Sequence, residues 1–213
     1  MVDLRNNMKV IFLDIDGVMN SRVFFESRYK SRREIIRRTL NRIKSRIRRL
    51  FRSKENKYKL VNRTRDWSYE YQFSRLKAQT CPKKWEWLSE WCNEHDVKIC
   101  ISSVWKRHFG NKDTVMPQRW SRALVDLGFN ANCFVGITGD RRTLRGTEIQ
   151  EWLDSHTEVT GYAILDDDSD MLEHQFNHFF HCDGWFGMSP NHLYRIDRHF
   201  NKESNYKNIT KSL

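Results

Sequence analysis

The sequence has no hydrophobic run long enough to cross a membrane, and its cysteines are not arranged as a disulfide framework. The five cysteines are odd in number, scattered and without a CxxC pair, which argues against both a disulfide scaffold and a zinc ribbon. The apolar run near the start stops at Asp14, too early for the core of a signal peptide or a membrane span. We therefore expect a protein of the cytoplasm with no transmembrane segment.

One segment carries the positive charge of the chain. The 213 residues are enough for one buried core, and their formal net charge is +11. Residues 28–65 hold 17 Lys or Arg against two Glu, a local balance of +15. The remaining residues therefore carry a balance of −4, so the position of the charge says more about partners than its sum does.

The basic segment has the pattern of an amphipathic helix. Between residues 31 and 52 apolar side chains recur at steps of three and four, and arginines fill most other positions. We interpret residues 25–78 as a basic, largely helical insertion or cap within a single domain of residues 1–213. Its candidate nucleic-acid contacts are Arg37, Arg38, Arg42, Arg46, Arg48 and Arg49. The alternatives are a solvated charged face, self-association through the apolar stripe, and an anionic membrane surface.

The rest of the chain alternates between strand and helix patterns. Continuous apolar runs, typical of buried parallel strands, occur at residues 10–13, 97–101 and 162–165, with a shorter one at 133–137. Helical spacing begins at residue 82 and recurs at residues 118–127 and 146–153. Residues 67–76 show no clear period. The alternation predicts an α/β fold with an open, mainly parallel, Rossmann-like sheet flanked by helices.

Polar side chains follow three of the predicted strands. These strand-end residues are Asp14 and Asp16, Ser102 and Ser103, and Asp166 and Asp167. Ligands of open parallel sheets bind beyond the carboxyl ends of the strands, so we expect these side chains to converge. Several carboxylates in one place are costly unless a cation neutralises them, and oxygen ligands suit Mg²⁺. The sequence therefore predicts a magnesium site.

The same residues suggest phosphoryl transfer. A serine hydroxyl and backbone amides can hold phosphate oxygens, and Arg145 can offset charge that develops on a transferring phosphoryl group. Of the two neighbouring acids, Asp14 can attack phosphorus while Asp16 carries a proton to the leaving oxygen and later accepts one from water.

Four motifs carry a family resemblance. "FLDIDGV", "ICISS", "LRGTEI" and "AILDDD" resemble, in order and spacing, the motifs of haloacid dehalogenase (HAD) superfamily phosphatases. The sequence is most similar to the HAD domain of RNA-repair (Swiss Army Knife) proteins and related phage proteins, in which "SSxWR", "RGxEI" followed by "WL", and "LDD" recur. The resemblance covers residues 9–18 and roughly 97–190, and it does not cover the basic segment. A phage-encoded relative would work in the host cytoplasm.

The resemblance implies roles for individual residues. Asp14 would form a phosphoaspartate and Asp16 would act as general acid and base. Asp14, the main-chain carbonyl of Asp16, and Asp166 or Asp167 would hold Mg²⁺, and Ser102 would bind phosphate. Arg145 stands where the superfamily more often has lysine. The remaining candidate substrate-binding residues are Ser103, Lys106, where the second motif usually has arginine, and Arg107.

These observations favour an enzyme over a binding protein. The preferred interpretation is a magnesium-dependent phosphatase that removes a terminal phosphate from nucleic acid, with the 3′ end favoured. A nucleoside monophosphate or another small phosphoester is the rival substrate. The alternative of another class is a non-catalytic nucleic-acid-binding protein built on a HAD scaffold.

Overall fold

The structure is a computed structural model that describes residues 8–29, 64–109, 115–139 and 144–210. The predicted amphipathic helix of residues 31–52 and its six arginines lie outside the described residues. The predicted insertion of residues 25–78 starts and ends in described helices, but its assignment as a cap stays a prediction. No helix in the described ranges is long and apolar enough to cross a membrane.

The described residues contain one open sheet of five parallel strands. The strands are β1 (Met8–Leu13), β2 (Val97–Ile101), β3 (Phe134–Ile137), β4 (Val159–Asp166) and β5 (Phe179–His181). Their order across the sheet is β3-β2-β1-β4-β5, and every pairing is parallel. This topology confirms the predicted α/β Rossmann-like sheet, with β1 at its centre.

Helices lie between the strands and after the last one. Within the described ranges, the α-helices are α1 (Arg22–Tyr29), α2 (Thr64–Gln79), α3 (Pro82–His95), α4 (Val115–Asp126), α5 (Arg145–Asp154) and α6 (Pro190–Thr210). In the same ranges, the 3₁₀ helix Val104–Phe109 follows β2 and the 3₁₀ helix Glu173–His178 precedes β5.

Both faces of the sheet are covered, which explains why β1 is a continuous apolar run rather than an alternating one. Ile11 and Leu13 belong to the larger apolar cluster on one face, and Val10 and Phe12 belong to the smaller cluster on the other. Successive side chains of a strand point to opposite faces, so four consecutive buried residues serve both cores.

Helix α3 fixes the approach to β2. Pro82 occupies its first turn, and Asp96 ends it in the left-handed conformation at φ 50°, which returns the chain to the sheet. Trp85 and Leu88 are buried, as their helical spacing predicts. The indole nitrogen of Trp85 donates to the hydroxyl of Thr80 at 2.8 Å, so the one polar atom of this buried ring is satisfied.

Backbone hydrogen bonding between neighbouring strands continues for one residue past the ends of β1 and β2. The Asp14 amide donates to the Leu165 carbonyl at 2.9 Å, and the Ser102 amide donates to the Leu13 carbonyl at 3.1 Å. These bonds fix the first polar residue after β1 and after β2 in register with the strands. The predicted convergence of the strand-end side chains follows from this register.

The sequence patterns did not predict α2, β5 and α6 as separate elements. Residues 67–76, which lacked a clear period, lie in α2, where Tyr69 and Leu76 are buried. Strand β5 has three residues, too few for a periodic signal. Helix α6 buries Leu193, Ile196 and Phe200 at steps of three and four, a helical spacing that is present in the sequence.

We expect Trp85→Ala to lower the free energy of unfolding by about 3–5 kcal/mol, because it leaves a cavity and removes the donor to Thr80. Trp87→Ala is the matched control on the same helix. Trp87 is half-buried at the edge of the core, so its loss should cost less than half as much. Urea denaturation followed by circular dichroism measures both, and equal losses would contradict the assignment of Trp85 to the core.

Candidate active site

Three carboxylates meet where β1 and β4 end. Asp14 follows β1, Asp166 is the last residue of β4, and Asp167 comes next. One oxygen from each lies within 4.8 Å of the others. Asp14 and Asp166 are 3% and 1% exposed, whereas Asp167 is partly exposed. The three acids are therefore close enough to repel one another and are shielded from water that would weaken the repulsion.

The pKa values of all three acids are shifted upward. Burial raises the pKa of Asp14, although the charge of Arg145 and hydrogen bonds from Arg145 and Ser103 oppose the rise. Burial and the neighbouring Asp14 charge raise the pKa of Asp166 to about 7. Burial, again with the charge of Asp14, raises the pKa of Asp167. The cluster is therefore short of positive charge.

The cluster has the chemistry of a site for a hard divalent cation. Its donors are all carboxylate oxygens, the type that Mg²⁺ prefers. The Oδ2 atom of Asp166 is buried without a hydrogen-bond partner, and a cation would satisfy it. The residues present therefore fit Mg²⁺, and the assignment of Asp14, Asp166 and Asp167 as its ligands stays a prediction. The predicted ligation by the Asp16 carbonyl stays a prediction.

Arg145 is the cation that the described chain places against the cluster. Its Nη1 atom lies 2.8 Å from Oδ1 of Asp14 and 3.3 Å from Oδ2 of Asp166, and it also donates to the Ser102 carbonyl. Burial alone would lower the pKa of Arg145, but the charges of Asp166 and Asp14 outweigh burial and raise it. The side chain is therefore a fixed positive charge at the edge of the site.

The start of α5 positions Arg145. Leu144 stands before the helix and has no side-chain oxygen to cap it. The Asp170 carboxylate takes that role, since it accepts a hydrogen bond from the Arg145 amide at 3.0 Å. Gly146 lets the loop after β4 approach closely, because a Cβ atom there would lie 2.5 Å from the backbone nitrogen of Leu172.

The two serines after β2 differ in their hydrogen bonds. Ser103 hydrogen-bonds the Asp14 carboxylate and is fully buried. Ser102 is 1% exposed, and its hydroxyl is buried without a hydrogen-bond partner. An unpaired buried hydroxyl is costly, so a ligand oxygen at this point would relieve the cost. This is the behaviour expected of a phosphate-binding serine.

Asp16 differs from Asp14 and Asp166 in its exposure to solvent. Its side chain is exposed, and its Oδ1 atom accepts a hydrogen bond from the side-chain nitrogen (Nδ2) of Asn20 at 2.7 Å. Asn20 also accepts from the Gly17 amide at 2.8 Å. Gly17 has φ +67°, and a Cβ atom there would lie 1.9 Å from Oδ2 of Asp167. The turn thus needs glycine both for its conformation and for the approach to the cluster.

Lys106 and Arg107 occupy different environments. Lys106 is 3% exposed. Its amine lies 2.6 Å from Glu148 and also donates to Thr138 and to the Gly139 carbonyl. The pair joins the loop after β2 to helix α5. Arg107 is exposed. The predicted roles of Ser103, Lys106 and Arg107 in substrate binding stay predictions.

The structure brings together Asp14, Ser102, Ser103, Arg145, Asp166 and Asp167, all of which the sequence singled out. It adds three supporting residues that the sequence did not. Asn20 orients Asp16, Asp170 caps α5, and Glu148 pairs with Lys106. Asn20 could have been found as an asparagine four residues after Asp16, and Glu148 as the acid inside "RGTEI".

Comparison with known proteins gives one family. A family model described as the HAD domain in Swiss Army Knife RNA repair proteins matches residues 10–193. No curated protein matches and no solved structure matches. The family match agrees with the resemblance carried by the four motifs, and it spans the basic segment that those motifs do not cover.

We expect a large coupling free energy between Lys106 and Glu148. Lys106→Met or Glu148→Leu alone leaves a buried charge unpaired, which costs about 3–5 kcal/mol of stability. The double variant should cost clearly less than the sum of the two. Urea denaturation of the four proteins in a double-mutant cycle measures the coupling.

The matched control is the exposed pair Lys83 and Glu86. Its ammonium and carboxylate are also 2.6 Å apart, but the side chains are 54% and 51% exposed. The cycle of Lys83→Met with Glu86→Leu should therefore give a coupling free energy far smaller than that of the Lys106 pair. Similar coupling in both cycles would show that burial does not govern the Lys106 pair.

Proposed function

We propose that this chain, which belongs to the family of HAD domains in Swiss Army Knife RNA repair proteins, is a magnesium-dependent phosphohydrolase acting on nucleic-acid ends. In detail, it removes a terminal phosphate through a phosphoaspartate intermediate, and the 3′ end is the favoured position. The observation that carries the proposal is the group of Asp14, Asp166 and Asp167 with Arg145 against it, together with the unpaired hydroxyl of Ser102, whose carbonyl also contacts Arg145.

The mechanism assigns the nucleophile to Asp14. A carboxylate oxygen of Asp14 attacks phosphorus, the bond from phosphorus to the leaving oxygen breaks, and Asp16 gives that oxygen a proton. Water then attacks the phosphoaspartate, Asp16 takes a proton from the water, and inorganic phosphate and free Asp14 are released. The separate environments of the two acids support this division, since one is buried beside Arg145 and the other is exposed beside Asn20.

The neighbouring residues bind and orient the phosphoryl group. The Ser102 hydroxyl donates to a phosphate oxygen, which satisfies its unpaired buried position. Arg145 offsets negative charge on the phosphoryl oxygens as they pass between nucleophile and leaving group. When bound by Asp14, the Asp16 carbonyl and Asp166 or Asp167, Mg²⁺ would supply charge neutralisation between the acids and the phosphate.

The basic segment supports a polyanionic substrate. A balance of +15 over residues 28–65 exceeds what solubility requires, and such a charge binds phosphate backbones with a strong dependence on salt. The printed description of the family, which refers to RNA repair proteins, points to the same class. A mononucleotide or another small phosphoester would not need this segment.

We expect phosphate release from a 3′-phosphorylated oligonucleotide in the presence of Mg²⁺. A 5′-phosphorylated oligonucleotide and a panel of mononucleotides are assayed in parallel, each with an Asp14→Asn control. Turnover should disappear in the Asp14→Asn protein, because the carboxylate nucleophile is lost. It should also disappear with a chelator and return with added Mg²⁺.

Each other outcome has a definite meaning. Hydrolysis of mononucleotides alone would keep the chemistry and exclude the nucleic-acid substrate. Release unaffected by Asp14→Asn would exclude the phosphoaspartate mechanism. Oligonucleotide binding at low salt, without any phosphate release, would favour the binding protein on a HAD scaffold.

We expect Arg145→Met to lower kcat by about 10²–10³-fold, since the transition state loses a fixed positive charge. Arg145→Lys should retain more activity, because the charge remains while the planar guanidinium contact is lost. Arg122→Met is the matched control at an arginine whose side chain is 59% exposed, and it should leave kcat unchanged. Wild-type kcat in the Arg145→Met protein would contradict the role of Arg145.

A further inference from the structure

Two exposed aromatic side chains lie in the loop beside the carboxylate cluster. Trp185 and Phe186 are 47% and 68% exposed. They directly follow Gly184, where a Cβ atom would lie 3.0 Å from Oδ2 of Asp167. Consecutive Cα atoms are about 3.8 Å apart, so both residues stand within one nucleotide's reach of the acids. The catalytic roles assigned above use neither of them.

The loop that carries these rings is rigidly held. The Arg22 and Val23 amides donate to the Gly184 and Trp185 carbonyls at 3.1 and 3.0 Å, which ties the loop to the start of α1. The Met188 amide donates to the Val18 carbonyl at 2.9 Å. Exposed rings on a fixed backbone lose little conformational freedom when a planar ligand stacks on them, so their exposure is suited to binding.

A buried lysine also donates hydrogen bonds to the backbone of this loop. Lys84 is 5% exposed, and its amine donates to the Phe186 carbonyl at 2.7 Å and to the Val18 carbonyl at 3.0 Å. Gly187, at φ +66°, makes room for it, because a Cβ atom there would lie 2.1 Å from that amine. One ammonium group thus joins the aromatic loop to the turn that follows Asp16.

A positive charge accompanies the rings. The Arg22 guanidinium lies over the Trp185 ring, 4.1 Å from its centre. Its side chain is 63% exposed and also pairs with Glu26 at 3.4 Å. An aromatic face with an adjacent guanidinium is the combination used for single-stranded nucleic acid, in which bases stack and phosphates meet cations. A purely apolar partner surface would gain nothing from the arginine.

We propose that Trp185 and Phe186, with Arg22 beside them, bind a nucleobase at or next to the phosphorylated end of a single strand. This inference rests on the proposed function for the position of the phosphate at Asp14. Base stacking on this surface would set the distance between the strand end and the nucleophile, and it would favour polynucleotide ends over phosphoesters without a base.

The test is binding of a labelled, single-stranded, 3′-phosphorylated oligonucleotide to protein carrying Asp14→Asn, which prevents turnover. Trp185→Ala and Phe186→Ala should each weaken binding about tenfold to a hundredfold, the range for loss of one stacked base. Trp185→Phe should restore most of the affinity. Tyr194→Ala is the matched control, because Tyr194 is 60% exposed with Arg198 near its ring but lines a groove between α3 and α6.

A second oligonucleotide isolates stacking from the basic segment. An otherwise identical strand with an abasic terminal nucleotide keeps its phosphates, so electrostatic binding is unchanged. Protein with Trp185 should bind the abasic strand more weakly than the normal strand, and protein with Trp185→Ala should bind the two equally. Equal binding of both strands by the protein that keeps Trp185, or unchanged affinity in both alanine variants, would overturn the inference.

The two proposals fail separately. If the oligonucleotide is hydrolysed but Trp185 does not affect base discrimination, the phosphatase stands and the stacking surface falls. If base discrimination depends on Trp185 but no phosphate is released, the stacking surface stands and the phosphatase falls.

Discussion

Repulsion among the acids at the end of β1 and β4 is the constraint on which this structure depends. Parallel strands in register place Asp14 and Asp166 side by side and keep both from water. The fold therefore has to provide positive charge at that edge, and Arg145 provides part of it. The upward shifts in the pKa of Asp14, Asp166 and Asp167 indicate that Arg145 does not balance the group by itself. A group of this kind is costly for stability and suited to a ligand that brings positive charge.

Arg145 and Lys106, the two cations near the site, contact different sets of acceptors. Relative to the motifs that it resembles, the chain has arginine where lysine is more usual and lysine where arginine is more usual. Arg145 reaches Asp14, Asp166 and the Ser102 carbonyl through its Nη1 atom. Lys106 points its ammonium at Glu148, Thr138 and the Gly139 carbonyl, and three donors around one nitrogen fit three acceptors. Each cation thus makes its contacts with carboxylates, hydroxyls or carbonyls through a single nitrogen.

Much of the sheet and the central acids could be predicted because their signals are local. A continuous apolar run followed by Asp or Ser marks a buried parallel strand and its polar end, so the pattern identified three pairs of polar residues. The choice of Asp14 and Ser102 within their pairs came from the family resemblance. Glu148 and Asp170 could not be identified in this way, since each acts on a residue 42 or 25 positions away. Strand β5 was too short for a period, and Trp185 and Phe186 follow it with only a turn signal to mark them. Their exposure is a property of the folded loop.

Lys84 joins the turn after Asp16 to the loop that carries Trp185 and Phe186. Burial lowers the pKa of this lysine, which shows that burying its ammonium group is unfavourable. The hydrogen bonds to two carbonyl groups compensate for only part of this desolvation cost. An apolar residue could fill the space at less cost, but it could not hold the turn after Asp16 and the loop of Trp185 in one arrangement. The acid that carries the proton in the proposed mechanism and the rings proposed to hold the base therefore share a support. A shift of either loop would move both, which makes the distance from base to phosphate a property of the fold rather than of a flexible side chain.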